Sequence, residues 1–265
     1  MQIGLLRVTG ACLAASALLA WPASADAVIQ SYLGARVEAL SPGNTASGTF
    51  SVVGTERFDS RPVTGNAGSA GFGTDFGTSG AITGTYSGNF SIHGADQYGG
   101  AGGGGGYAVT FDHGAGYTLR LGHDASVPGV NYFGMALSAL DGGNLLDFYR
   151  GGVLVYSYTP ADLIKTLGAC PGSYCGNPTS PAQNTGEQYA FINFFDQSGT
   201  FDQVTFHQGA GFGGGYESDN HTVGYRTTQA VFGMGIPVPE PAGLGMIAVG
   251  LVGAAMLRRR RTGPG

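Results

Sequence analysis

The sequence predicts an all-β fold, an antiparallel β-sandwich of jelly-roll-like type with one short helix. Three observations predict it. Short runs rich in aromatic and β-branched residues recur along the chain, separated by Gly, Asn and Asp clusters. Glycine is abundant, at 50 of 265 residues, and charge is thin at 11%, against ordinary values of roughly 7% and ~25%. Only one stretch carries helix-start signals. Many short strands with one helix favour two packed antiparallel sheets over a parallel sheet with crossover helices.

The chain opens on Arg7, the only charged side chain before Asp26, followed by the apolar "VTGACLAASALLAW" and then "PASA". Ala23 and Ala25 form the small-x-small pattern that a signal peptidase accepts. Residues 1–25 therefore read as a secretory signal peptide, and Cys12 leaves with it. Export implies an oxidising compartment, so Cys170 and Cys175 in "ACPGSYCGNP" are expected to form a disulfide across a tight bend at Pro171 and Gly172. The alternative is a metal pair, which would need two further ligands, and no Cys or His follows at finger-like spacing.

Residues 26–236 amount to one domain, long enough for a sizeable core. Its first part, 40–106, is rich in Gly, Ser and Thr; "SGTFSVVGTERF" and "SGAITGTYSGNF" read as edge strands with small side chains. "GGAGGGGG", Gly99 to Gly106, reads as a flexible loop. No Lys-Ser/Thr follows it, so it is not a phosphate loop. Strands are then expected at 107–111, 117–122, 131–140, 145–149, 153–158, 188–195, 201–207 and 222–226. Arg150-Gly151-Gly152 marks a hairpin joint. In "VLVYSY", alternation places Val153, Val155 and Ser157 on one face and Leu154, Tyr156 and Tyr158 on the other. The helix is expected from Thr159 as cap, through Pro160 at its first position and Asp162 in the capping-box place, to about Leu167.

Charge limits the partners. Five of the 12 basic residues are Arg7 and Arg258 to Arg261, which leaves seven against 17 acidic ones. An acidic body argues against nucleic acid or anionic lipid as partner. Two acidic stretches stand out: Asp141, Asn144 and Asp147 in "ALDGGNLLDFY", and Glu217, Asp219 and Asn220 in "YESDNHTVGY". These are the oxygen ligands that calcium takes, six to eight at a time, so both stretches would have to meet to form a site. The competing reading is turn chemistry, in which Asp and Asn side chains bond their own backbone.

No sequence pattern of a known hydrolytic site is present. There is no His-Glu-x-x-His, no Gly-x-Ser-x-Gly and no histidine pair at metal spacing, and the five histidines are scattered. Glu187, Asp196 and Asp202 would act as an acid and base pair only if the fold happened to join them. The expectation is a protein that is not an enzyme. The 13 tyrosines and 15 phenylalanines offer a different lead, since exposed aromatic faces stack on sugar rings while buried ones fill a core. Two functions follow: a surface module binding extracellular polysaccharide, with calcium assisting, or a passive structural and adhesive protein with no small ligand.

The tail says where the protein goes. Ala242 to Leu257 is an uncharged stretch of 16 residues, a helix of ~24 Å against a hydrocarbon core of ~30 Å, with Arg258, Arg259, Arg260 and Arg261 immediately after it. The arginines fix a cytoplasmic end and leave the body on the far side of the membrane. Pro237, Pro239 and Pro241 stop a helix from running upstream. Val238, Pro239, Glu240 and Pro241, then the apolar span, then the arginine cluster resemble the PEP-CTERM sorting signal, here occupying 237–265. That resemblance implies processing by an exosortase in the inner membrane of a Gram-negative bacterium, transient anchoring there, and release to the cell surface or the matrix of a biofilm. A second resemblance covers about 130–226, through "YFGMALSALDGGNLLDFYRGGVLVYSY", "YAFINFFDQSGTFDQVTFHQ" and "YESDNHTVGY". It is to a family of exosortase-dependent bacterial surface proteins, and it implies secretion and a shared β fold. "GAGFGGG", 209–215, departs from the compact loop expected there.

Overall fold

A computed structural model describes residues 29–33, 50–101, 104–180 and 182–227. The signal peptide at 1–25 and the sorting segment at 237–265 lie outside the described residues. In chain order the strands are β1 (Ile29–Leu33), β2 (Phe50–Glu56), β3 (Phe72–Thr74), β4 (Ile82–Gly88), β5 (Ser91–Gly94), β6 (Gly106–Thr110), β7 (Tyr117–His123), β8 (Tyr132–Ser138), β9 (Asn144–Arg150), β10 (Val153–Tyr158), β11 (Ala190–Asp196), β12 (Gln203–Gln208) and β13 (Tyr216–Arg226). The one α-helix among the described residues is α1 (Ala161–Leu167). Seven strands form the first sheet, in the order β1-β11-β8-β13-β6-β5 with β2 also on β13; six form the second, in the order β10-β9-β12-β7-β4-β3. All pairings within both sheets are antiparallel. From β6 onward the chain changes sheet at nearly every connection, so the two sheets cannot separate without unthreading the chain's own order.

Aromatic rings meet between the sheets. Phe206 of β12 lies parallel to Tyr117 of β7 at 4.4 Å and to His221 of β13 at 4.9 Å. Phe133 and Phe194 of the first sheet meet Phe148 of the second at 6.1 and 5.0 Å. These residues are all essentially removed from solvent, and aromatic burial of this kind dominates a core's energetics. Polar groups inside the core are partly paired; His221 Nε2 and the Tyr158 hydroxyl are buried with no hydrogen-bond partner among the described residues. His221 Nδ1 shares a hydrogen bond of 2.9 Å with the Tyr86 hydroxyl, and burial lowers the His221 pKa to about 3, so the ring is neutral. Tyr117 and Ser218 pair their hydroxyls at 2.8 Å.

Several local expectations are corrected. β4 is no edge strand; it lies between β3 and β7, and its Gly84 lets Phe76 and Leu119 approach where any side chain would collide. The last strand begins at Tyr216, not at residue 222, so "YESDNH" is strand and not turn. A bulge between Asp219 and Thr222, with Asn220 at a φ of 53°, absorbs the irregularity, a conformation Asn tolerates better than most residues. The two-faced reading of β10 fails because the register shifts between Leu154 and Tyr156, leaving Val153 and Leu154 both exposed. The helix is capped at Pro160 rather than by Thr159, whose hydroxyl donates instead to the Gly142 carbonyl. The glycine tract is not wholly loose: Ala101 is buried and donates to Asp219, and Gly106 opens β6. The β9–β10 hairpin does turn on Gly151 and Gly152, both at positive φ. A disulfide joins Cys170 and Cys175, with Cα atoms 5.8 Å apart.

Candidate functional site

Antiparallel register places Val109 of β6 opposite Glu217 of β13 and Tyr107 opposite His93 of β5. In a strand, residues two apart share a face, so His93, Tyr107, Val109 and Glu217 form one patch on the side of the first sheet away from the second. Loops raise walls around that patch: Asp96 and Tyr98 after β5, Ala139 and Asp141 after β8, Glu187 before β11, and Gly213 to Gly215 before β13. The result is a cavity of about 510 Å³, within the usual range of roughly 300–1,000 Å³ for small-molecule sites. Tyr98 and Phe111 stand on its rim, 44% and 54% exposed. His93 packs against Tyr107 and Phe111 with ring centroids 5.8 and 6.3 Å away.

Four carboxylates line the cavity, and three are tied to their own loops. Asp96 accepts the backbone N–H groups of Tyr98 and Gly99 and the hydroxyl of Tyr107, at 2.8, 3.2 and 3.1 Å. Asp141 accepts from Gly143 N at 2.6 Å and Gln208 Nε2 at 3.3 Å. Glu187 accepts from Asn184 at 2.7 Å. Glu217 differs. It is 8% exposed, and among the described residues its carboxylate accepts only from its own backbone N–H. Burial, with the negative charges of Asp141, Glu187 and Asp96 adding to it, pushes its pKa up to about 8. Burial and the neighbouring Asp96 also raise the Tyr107 pKa, so this phenol stays protonated. Among the described residues, no lysine or arginine lines the cavity.

The six residues expected to hold calcium do not come together. Asp141 and Glu217 do line one cavity. Asn144 is buried behind it, donating to Gln208 and to the Gly215 carbonyl. Asp147 sits on the second sheet, bound to His207 Nε2 at 3.1 Å and to Ser157 Oγ at 2.5 Å. Asp219 accepts from Ala101 N and Asn220 N, and Asn220 is buried in the bulge. Strand register is the reason: Asp147 pairs with Thr205 and Ser157 in the second sheet, whereas Glu217 and Asp219 belong to the first. Among the described residues no group of three or more His, Cys, Asp or Glu is placed to hold a metal ion. The residue set therefore does not fit calcium. Turn chemistry does account for Asp141 and Asn144, whose side chains accept Gly143 N and Asp141 N, although this turn joins strands of different sheets rather than a hairpin.

Asp147, His207 and Ser157 are the three residue types of a nucleophilic triad, but they are wired differently. Both Ser157 and His207 bond the carboxylate, and no bond joins the hydroxyl to the imidazole; a base must touch the nucleophile whose proton it takes. Burial raises the Asp147 pKa, but hydrogen bonds from His207 and Ser157 outweigh it and hold the carboxyl below its ordinary range. This cluster is a hydrogen-bonded patch on a sheet face.

Sequence reading missed His93, Asp96, Tyr98, Tyr107 and Phe111 as site residues. They flank the glycine tract and carry no motif. Glu187 had been noted only as an acid without a partner. The departing segment "GAGFGGG" supplies a wall, and its Gly215 lets the Glu217 carboxyl and Val109 lie close against the backbone, where a side chain would have to displace them.

The destination of this body is given by the tail. Residues 237–261 match the family model for the PEP-CTERM protein-sorting motif, which defines a protein sorted to the cell surface through an exosortase, with a transient membrane anchor. The chain thus carries a PEP-CTERM protein-sorting motif at residues 237–261. The match takes in Val238 to Pro241, the apolar span at 242–257 and Arg258 to Arg261, which lie outside the described residues. Among the described residues, no helix is long and apolar enough to cross a membrane. No curated protein and no solved structure matches the chain.

Proposed function

We propose that the folded body is a glycan-binding module, not an enzyme, which the sorting tail delivers to the outside of the cell, where it engages extracellular polysaccharide. The observation that supports this reading is the cavity itself. It combines exposed aromatic faces at Tyr98 and Phe111 with carboxylates and the Tyr107 hydroxyl, the pairing of stacking surface and directional polar groups by which sugars are held. A binding role without hydrolysis is favoured by the tethering of Asp96, Asp141 and Glu187 in loop hydrogen bonds and by the unjoined Ser157 and His207. The passive structural reading draws on one observation: seven tyrosines are among the largest fully buried side chains, so most of the aromatic content serves packing.

Two tests follow. In an exporting host, changing Pro239, Glu240 and Pro241 together to alanine is expected to leave the tail uncut and the protein in the membrane fraction. Normal release of that variant would contradict the sorting account. For the body, the processed wild-type protein is expected to bind the host's extracellular polysaccharide saturably and to release no new reducing ends. The Tyr98→Ala/Phe111→Ala double variant should lose binding by tenfold or more, at about 1–3 kcal/mol for each lost stacking face by analogy with base stacking. Its melting temperature should hold, because both rings stand on the rim, about half exposed, and outside the core. Equal binding by the double variant would sink the reading, and no binding by either protein would move the structural reading ahead.

A further inference from the structure

The cavity selects for charge as well as shape. Glu217 lies in its floor, more than nine-tenths buried, with no hydrogen bond from any other described residue. Its oxygens are not sealed from the cavity, and Nε2 of His93 on the same lining is buried with no hydrogen-bond partner among the described residues, so a ligand entering here meets polar groups that it can pair. Asp96, Asp141 and Glu187 face the same space, together with His93, Tyr98 and Tyr107, and no lysine or arginine among the described residues does. The aromatic rim of Tyr98 and Phe111 presents the negative faces of its rings to whatever enters. An anionic glycan such as a uronic-acid polymer would meet like charge on three walls.

Resting on the glycan reading above, we infer that the ligand is an amino sugar carrying a free ammonium group, as in a de-N-acetylated hexosamine polymer, with the ammonium seated between Glu217 and the aromatic rim. The ammonium supplies the hydrogen-bond donors that Glu217 lacks and offsets the crowding of the four acids. The pyranose ring stacks on Tyr98 or Phe111. Because burial and the neighbouring acids raise the Glu217 pKa to about 8, the bound cation favours the ionised carboxylate and binding near neutral pH releases a proton.

The test uses the full-length chain in detergent and four probes: glucosamine tetramer, N-acetylglucosamine tetramer, glucose tetramer and putrescine. Glucosamine tetramer is expected to bind about tenfold or more tighter than its N-acetylated form, with proton release seen as a buffer-dependent heat. Glu217→Gln, which keeps shape and removes the ionisable group, should erase that preference and the proton release while leaving the protein folded, with a melting temperature at pH 6 no lower than that of wild type. Equal affinity for the three tetramers would overturn the amino-sugar inference and leave the glycan reading standing. Binding by putrescine as tight as by glucosamine tetramer would overturn it too, showing a site for amines without regard to the sugar. No binding by any tetramer would overturn both.

Discussion

Replacing Phe206 with alanine is expected to destabilise the protein by about 3–5 kcal/mol, lowering the melting temperature by roughly 6–20 °C. Phe206 is fully buried and lies at the centre of the inter-sheet stack, between Tyr117 and His221, with Tyr216 and Phe133 each 5.9 Å away. Four neighbours from three strands would lose a shared partner, and rings held on two sheets cannot collapse inward to refill the space, so the cavity persists. Denaturant unfolding of the processed protein reads the change. Val153→Ala on the exposed end of β10 is the control and should lie within about 0.5 kcal/mol of wild type. A comparably small effect for Phe206→Ala would mean that the two sheets do not share this core.

The second large effect is a dependence of stability on pH that falls away on both sides of a plateau. Burial depresses the His221 pKa from 6.5 to about 3. The unfolded chain therefore takes a proton that the native ring refuses. Its contribution is complete above about pH 6.5 and is lost as pH falls, by roughly 4 kcal/mol at pH 3. Glu217 has the opposite sign. Its folded pKa is raised from 4.5 to about 8, so its contribution is complete below about pH 4.5 and is lost as pH rises through 8, again by roughly 4 kcal/mol. Between pH 4.5 and 6.5 the two slopes oppose each other and stability is nearly flat. His221→Leu should leave the Glu217 slope unopposed, so that stability rises as pH falls from 6.5 to 4.5, and should remove the His221 share of the loss between 4.5 and 3; the remaining fall at low pH belongs to carboxylates held low by hydrogen bonds, Asp112 and Asp147 among them. Glu217→Gln should flatten the alkaline limb. A native His221 ring titrating near 6.5 by NMR would show that water reaches the core beside Phe206.

The fold was largely legible because its later strands announce themselves. From residue 107 to 208 each strand is a compact run of aromatic and β-branched residues between turn residues, and Gly151-Gly152 fixes its hairpin. Legibility failed where side chains were small or polar. β4 hides as "ITGTYSG" because Gly84 is required by close packing rather than by a turn, and "YESDNH" reads as a loop although it runs along the middle of the first sheet. The candidate site was half legible. Asp141 and Glu217 were singled out as acids, but their company was not foreseeable from spacing. The cavity draws on separate segments around 93–98, 107–111, 139–141, 187 and 213–217, and only the order of strands in the first sheet brings them together. Asp147, close to Asp141 in sequence, ends on the other sheet for the same reason. Nor does composition separate Tyr98 on the rim from Tyr117 in the core, since both flank glycine-rich sequence.

The account turns on one place in the molecule, and amide hydrogen exchange of the processed protein with and without extracellular polysaccharide examines that place directly. Binding in the cavity predicts added protection at 93–99, 106–111, 139–143 and 213–217, with strands β9, β10 and β12 of the second sheet unchanged. Protection confined to the second sheet, or no protection at all while the polysaccharide is demonstrably bound, would contradict the account and place the contact elsewhere on the surface.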